Sequence, residues 1–178
     1  MSPRVLMLAG LLAAAVPASA TDMPARKPGL WEIRTEFAGH NLPARTIREC
    51  IDAATDKVMN ANFGGGAGQT CSKRDIEQSG ATMTIDSVCA INGATIVSHA
   101  VVSGSFDSAY TVDVASKREG AAASGMRVYG ESHIKIAAKW LGPCTGGQRP
   151  GDMIMENGMT MNILDLKKGM PPRLPPRP

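Results

Sequence analysis

Between residues 30 and 140 this chain keeps returning to a period of two, the spacing of a half-buried β-strand. In residues 133–140, Ile134, Ile136, Ala138 and Trp140 alternate with His133, Lys135 and Lys139. Successive strand side chains point to opposite faces, so the segment has one apolar side and one wet side. Residues 30–37 repeat the pattern, with Trp31, Ile33 and Phe37 set against Glu32, Arg34 and Glu36. Met83, Ile85 and Cys89 alternate with Thr82, Thr84 and Asp86, and Tyr110, Val112 and Val114 with Thr111 and Asp113. Residues 44–49, 73–78 and 95–103 are less regular strand candidates. Turn signals separate them at Ser79-Gly80, at Asn92-Gly93, over 104–108 and in the small-residue stretch 120–125. Only residues 52–60 read as a short helix, ahead of a glycine loop at 64–68. Many short strands with short turns predict a mainly β fold with one short helix. The expected architecture is an antiparallel meander forming a curved sheet or a partly closed barrel.

Such a sheet must fill its inner face with few aromatics, since the chain has three Phe, two Tyr and two Trp. Trp31, Ile134, Ile136 and Trp140 share the apolar faces and are the candidate core, or the lining of an apolar groove. A thin core is expected to be stapled covalently, and Cys50, Cys71, Cys89 and Cys144 are available. Their spacings of 21, 18 and 55 hold no C-x-x-C pair, which argues against a zinc knuckle and against thiol-exchange chemistry. Two structural disulfides are expected. The pairing expected is Cys50 with Cys71, bracketing the helix and glycine loop, and Cys89 with Cys144. The main rival pairs Cys71 with Cys89 across a turn centred on Gly80.

The first twenty residues read as a secretion signal cleaved after Ala20. Arg4 gives the positive end, residues 5–16 a short apolar run, and Ala18-Ser19-Ala20 the small-x-small cleavage pattern. The run is too short for a transmembrane segment. Thr21 stands where a lipoprotein would need cysteine. An exported, soluble, periplasmic protein is expected, with one β-rich domain over 21–168. Residues 169–178 hold five prolines and read as an extended, mobile, disordered tail. Loss of Arg4 leaves 18 basic against 16 acidic residues, too even a balance for a nucleic-acid partner.

Several short motifs fall in a suggestive order. Lys27-Pro28-Gly29-Leu30-Trp31-Glu32 comes first, then Cys50, Cys71 and Cys89. Trp140-Leu141-Gly142-Pro143-Cys144 and Arg149-Pro150-Gly151-Asp152 follow. Over roughly residues 27–152 the chain resembles the exported bacterial family called domain of unknown function 3617. The resemblance implies a periplasmic protein of Gram-negative bacteria and transfers no active site.

Among possible chemistries, Met153, Met155, Met159 and Met161 stand out, because thioethers suit Cu(I). The turn between them decides whether they converge. A two-residue turn at Asn157-Gly158, the commoner geometry, pairs Met155 with Thr160 and splits the methionines between two faces. A three-residue turn over 156–158 would pair Met155 with Met159 and gather all four. The two-residue turn is expected, with the methionines as adaptable packing.

His40, His99 and His133 lack ligand-spaced neighbours and read as solvated or singly hydrogen-bonded. Ser132 and Lys135 match a serine-x-x-lysine pattern, but on a strand they point to opposite faces. The glycine loop lacks the Gly-Lys-Ser/Thr of a phosphate cradle. Arg173 and Arg177 in the tail would be a weak attachment to an anionic surface.

No catalytic constellation and no cofactor are expected. The leading functional expectation is a non-enzymatic binding module for a small apolar ligand or an envelope partner. The alternatives are a Cu(I)-binding protein using the four methionines, and a hydrolase whose site is assembled from distant residues.

Overall fold

A computed structural model describes residues 23–38, 42–61, 70–91, 93–120 and 130–174. The elements in chain order are β1 (Gly29–Ala38), β2 (Arg45–Ile51), α1 (Ala53–Ala61), β3 (Thr70–Ser79), β4 (Thr82–Ile91) and β5 (Ala94–Ser105). After these come β6 (Ala109–Gly120), β7 (Gly130–Gly142), β8 (Asp152–Met155), β9 (Thr160–Asn162) and α2 (Ile163–Leu166). The strands form one antiparallel sheet in the order β3-β4-β5-β6-β7-β1-β2-β8-β9. The meander expected from the sequence is present over β3–β7. β1 then closes onto β7, and the chain returns along β2, β8 and β9. β3 and β9 are not paired with each other, so the sheet is open.

The period-two pattern translates directly into register. Ile33 of β1 sits opposite Ile47 of β2 and Ala138 of β7, and Ala138 sits opposite Tyr110 of β6. The next row on the same face runs Met83, Val102, Val112, Ile136 from β4 to β7. These rows are the core: Trp31 and Val112 are inaccessible, and Val102 and Met83 nearly so. Burying such side chains contributes about 1.5–3 kcal/mol each. β3 buries only Ile76 and exposes Lys73, Arg74, Asp75 and Glu77, a charged edge that resists pairing with another chain. Gly29 is required where it stands. Its φ is +134°, and a Cβ there would lie 2.4 Å from the Gly142 carbonyl oxygen and 2.6 Å from Trp140 Nε1.

α1 begins where Asp52 and Thr55 bond reciprocally. The Thr55 N–H donates to Asp52 Oδ1 at 2.8 Å and the Asp52 N–H to Thr55 Oγ1 at 3.0 Å, an N-terminal capping arrangement. Those bonds from Thr55 hold the Asp52 carboxyl below its usual value.

Both expected disulfides are present, but the pairing differs from the one favoured on sequence. Cys50 is bonded to Cys144 and Cys71 to Cys89. Cys71 and Cys89 face each other across the β3–β4 hairpin, in register around the Gly80 turn. Cys50 is free to reach Cys144 because β2 borders β8, which brings the loop after β7 back over it: the Gly151 N–H donates to the Cys50 carbonyl at 2.8 Å. The described part of the tail makes contacts with the sheet. Arg173 exchanges two backbone hydrogen bonds with Thr160, at 2.9 and 2.7 Å, and its side chain reaches the buried Asp152. The signal segment, His40, the glycine loop at 64–68, Asn92, the stretch 121–125 and the tail residues 175–178 (Arg177 among them) lie outside the described residues. No helix among the described residues is long and apolar enough to cross a membrane.

Candidate ligand-binding face

One end of the inner face is closed by charge. Arg26, in the segment before β1, is 5 % exposed. Its Nε donates to Asp56 Oδ1 at 2.7 Å and its Nη1 to Glu49 Oε2 at 2.8 Å. The Arg26 backbone N–H and the Asn60 side chain both donate to Asp56 Oδ2, at 2.8 and 3.1 Å. Glu49 comes from β2 and Asp56 from α1, so one cation ties three parts of the chain over Trp31, whose ring lies 5.9 Å from the guanidinium. Burial alone would ease the proton off Arg26, but the charge of Glu49 and the bonds to both carboxylates hold its pKa above the ordinary value. Burial pushes the neighbouring Tyr110 hydroxyl up as well. Every charged group here is spent on another, as buried charges must be. This end is a clamp.

A second knot holds the end of the chain. The Asp152 carboxylate accepts from the Arg149 N–H and Asn162 Nδ2, both at 2.8 Å, and from Arg173. Burial raises its pKa, but these donors outweigh burial and hold it below the usual 3.8.

Away from the clamp, the inner face changes character row by row. Ile85, Ala100, Val114 and Ile134 form one apolar row across β4–β7, in which Val114 and Ile134 are half-buried. The next row is all hydroxyl: Ser87, Ser98, Ser116 and Ser132 stand opposite one another across the same four strands. Ser116 and Ser132 are bonded at 2.8 Å. Arg74 of β3 extends this row, opposite Ser87. One step further, Arg118 of β6 sits opposite Ile96. Its Nε is buried and has no partner among the described residues. The register places no Asp or Glu on this face of β3–β7, whereas the outer face carries Asp86, Asp113, Glu119 and Glu131 beside lysines. The main helix contacts with the sheet, α1 on β2 and α2 on β9, lie away from these rows.

The four side chains singled out on sequence do share this face. Trp31 is core and Ile136 and Trp140 pack partly buried against it, while Ile134 stands half-buried beside the serine row. The Trp140 indole N–H donates to the Pro28 carbonyl at 3.1 Å, and Lys27 Nζ lies 3.7 Å over its ring. Arg118 was missed by the sequence reading. Extending the Tyr110, Val112, Val114 alternation by two steps would have placed it on the inner face.

The methionine turn is not the expected one. Met153 pairs with Met161 and Ile154 with Thr160, and the Met155 N–H donates to the Met159 carbonyl at 2.9 Å. The loop is therefore three residues, 156–158, with Gly158 at φ +79°, the left-handed residue that such loops require. The Glu156 carboxylate is engaged by the Thr46 N–H at 2.8 Å. All four methionines consequently lie on one face, half-buried, next to Ile47 and Glu49 of β2.

On the outer face, His99 Nδ1 lies 2.8 Å from Asp86 Oδ1, with both side chains about half exposed. His133 borders the same open cleft, with Lys117 and Glu131. No serine or threonine hydroxyl bonds to His99 among the described residues, so the pair lacks the nucleophile and burial of a hydrolytic relay. Ser132 and Lys135 lie on opposite faces, as a strand requires. No cluster of three His, Cys, Asp or Glu that could hold a metal ion occurs among the described residues.

An open antiparallel sheet, stapled by two disulfides, clamped at one end and graded from apolar to basic along one face, defines a mainly β, single-sheet protein. The chain belongs to a family described as protein of unknown function, DUF3617, whose model matches residues 26–144. The match begins at the clamp arginine and ends at the second cysteine of the Cys50–Cys144 bond, leaving the methionine hairpin outside. No curated protein and no solved structure matches the chain.

Proposed function

We propose that this is an exported, periplasmic, non-enzymatic binding protein that receives a small apolar ligand on the far half of its inner sheet face. The observation that carries this reading is the half-buried apolar strip of Val114, Ile134 and Ile136, which lies away from the clamp and from the helices. Apolar strips of this kind, edged by a few polar groups, suit ligand binding. The signal pattern of residues 1–20 and the two disulfides support an oxidising compartment. Mass spectrometry of protein gently purified from periplasmic extract tests the reading. The wild type is expected to carry a small apolar molecule that an Ile134→Asp variant loses. An envelope protein recovered instead would replace the ligand by a partner, and an empty wild type would count against the reading.

The three-residue turn favours a second reading, a soft-metal site. Directly opposed strand residues have Cβ atoms about 4.5–5.5 Å apart, so the pairs Met153–Met161 and Met155–Met159 present four thioethers to one small volume. Met59 is a further sulfur nearby: Arg26 Nη2, 3.8 Å from its Sδ, belongs to the guanidinium that bonds Glu49, the residue paired with Met153. Thioether clusters suit Cu(I). Competition titration against a Cu(I) chelator, with the wild type beside a variant carrying Leu at all four positions, decides it. A tight site confined to the wild type supports the reading, and equal weak binding retires it.

A further inference from the structure

Among the described residues, half-buried Arg118 carries a shielded inner-face donor, Nε, that the fold leaves without a hydrogen-bond partner. It lies on β6, in the middle of the sheet, so it is not an edge charge like Arg74. Its Nε is withdrawn from solvent without a hydrogen-bond partner among the described residues. A buried donor left unpaired costs free energy, more when it is charged, and a sheet retains such a group when something else completes it. The surroundings say what that something is. The inner face of β3–β7 carries two arginines and no carboxylate, so no anion of the sheet face itself answers them. Four serine hydroxyls lie in the adjoining row, and half-buried Val114 and Ile134 lie one row beyond.

Resting on the apolar-ligand reading above, we infer that the ligand is an amphiphile with a single anionic head, a carboxylate or phosphate on an alkyl chain. The head bonds to Arg118 and to the serine hydroxyls, with Arg74 adding long-range attraction. The chain lies along Val114 and Ile134 towards the core. Guanidinium is suited to this role, since it pairs with carboxylate and phosphate through parallel donors and is less strongly hydrated than ammonium. The arrangement also excludes cationic amphiphiles, whose heads would meet two arginines and no counter-charge.

Displacement of Nile red, a neutral apolar dye, from the full protein tests the inference, with decanoate, octyl phosphate, decanol and decyltrimethylammonium as competitors. The two anions are expected to bind about tenfold or more tightly than decanol, a factor typical of a hydrogen bond to a charged group. Decyltrimethylammonium is expected to bind weakest. Arg118→Gln should erase the preference for anions while leaving decanol unchanged. Lys117→Gln removes the same charge one residue away, on the outer face, and should leave the preference intact. Circular dichroism verifies that both variants are folded. Decanoate and decanol binding equally well to the wild type would overturn the anionic head and leave the apolar-ligand reading standing. An anion preference that survives Arg118→Gln would also overturn it, and failure of all four competitors would remove both readings. Whichever anion binds better identifies the head as carboxylate or phosphate.

Discussion

Arg26 and Arg118 serve opposite ends of one sheet face, and the fold treats them in opposite ways. Arg26 bonds to two carboxylates from two elements and sits over a fully buried tryptophan. Arg118 has a shielded Nε with no hydrogen-bond partner among the described residues, one row beyond the serines, where β3–β7 present no acid on this face. The same side chain is thus structural in one place and unspent in the other. The contrast separates the part of the molecule that holds itself together from the part available to something else.

Identical substitutions at the two arginines should break this comparison most visibly. Arg26→Met leaves Asp56 and Glu49 buried together without their cation, and should cost about 3–5 kcal/mol. Arg118→Met removes a half-buried charge that has no ion pair among the described residues, and should change stability by about 0.5 kcal/mol or less, or raise it. Urea unfolding of the two variants beside the wild type measures both. Equal losses would mean that Arg118 is as structural as Arg26.

Isoleucines sharpen the comparison at smaller magnitude. Ile51, 2 % exposed beneath the clamp, should cost about 2–5 kcal/mol on truncation to Ala. Ile134→Ala, on the half-buried strip, should cost about 1 kcal/mol by the area it removes from water. Thermal or urea denaturation distinguishes them.

The smallest effect is a pH dependence confined to one end. Asp152 is held below its usual 3.8 in the folded chain, so its contribution is present above that value and is lost as pH falls through the lower folded value. The stability advantage of the wild type over Asp152→Asn should therefore be full at pH 6 and vanish in strong acid. The difference between wild type and Arg118→Met should stay flat over the same range, because no carboxylate among the described residues is bonded to Arg118. Melting temperatures from pH 6 to pH 2 check both expectations.

Much of the sheet was legible in the sequence because alternation is a local signal. All seven strands from β1 to β7 fall where period-two segments or their weaker relatives lie. What the sequence hid is non-local. Arg26 and Asp56 are thirty residues apart and meet only because α1 packs against β2, which no spacing announces. The Cys50–Cys144 bond depends on β8 bordering β2, a strand order that runs against the chain order. The methionine turn was misread because Asn157-Gly158 suits a two-residue loop. Tertiary contact prevailed there, with Thr46 holding Glu156 and the β2–β8 register carrying the pairing to Met155–Met159. Of the candidate site, the face of Ile134 and Ile136 was readable, and the lack of a partner for Arg118 Nε among the described residues was not.

The central claim is that ligand enters at the serine–arginine end and not at the clamp. Methyl NMR of isoleucine-labelled protein titrated with decanoate tests it most directly, because isoleucines mark both ends. The account predicts shifts at Ile96 and Ile134, with Ile33, Ile47 and Ile51 unmoved. Shifts confined to the clamp isoleucines, or none at any of the five at saturating decanoate, would contradict it.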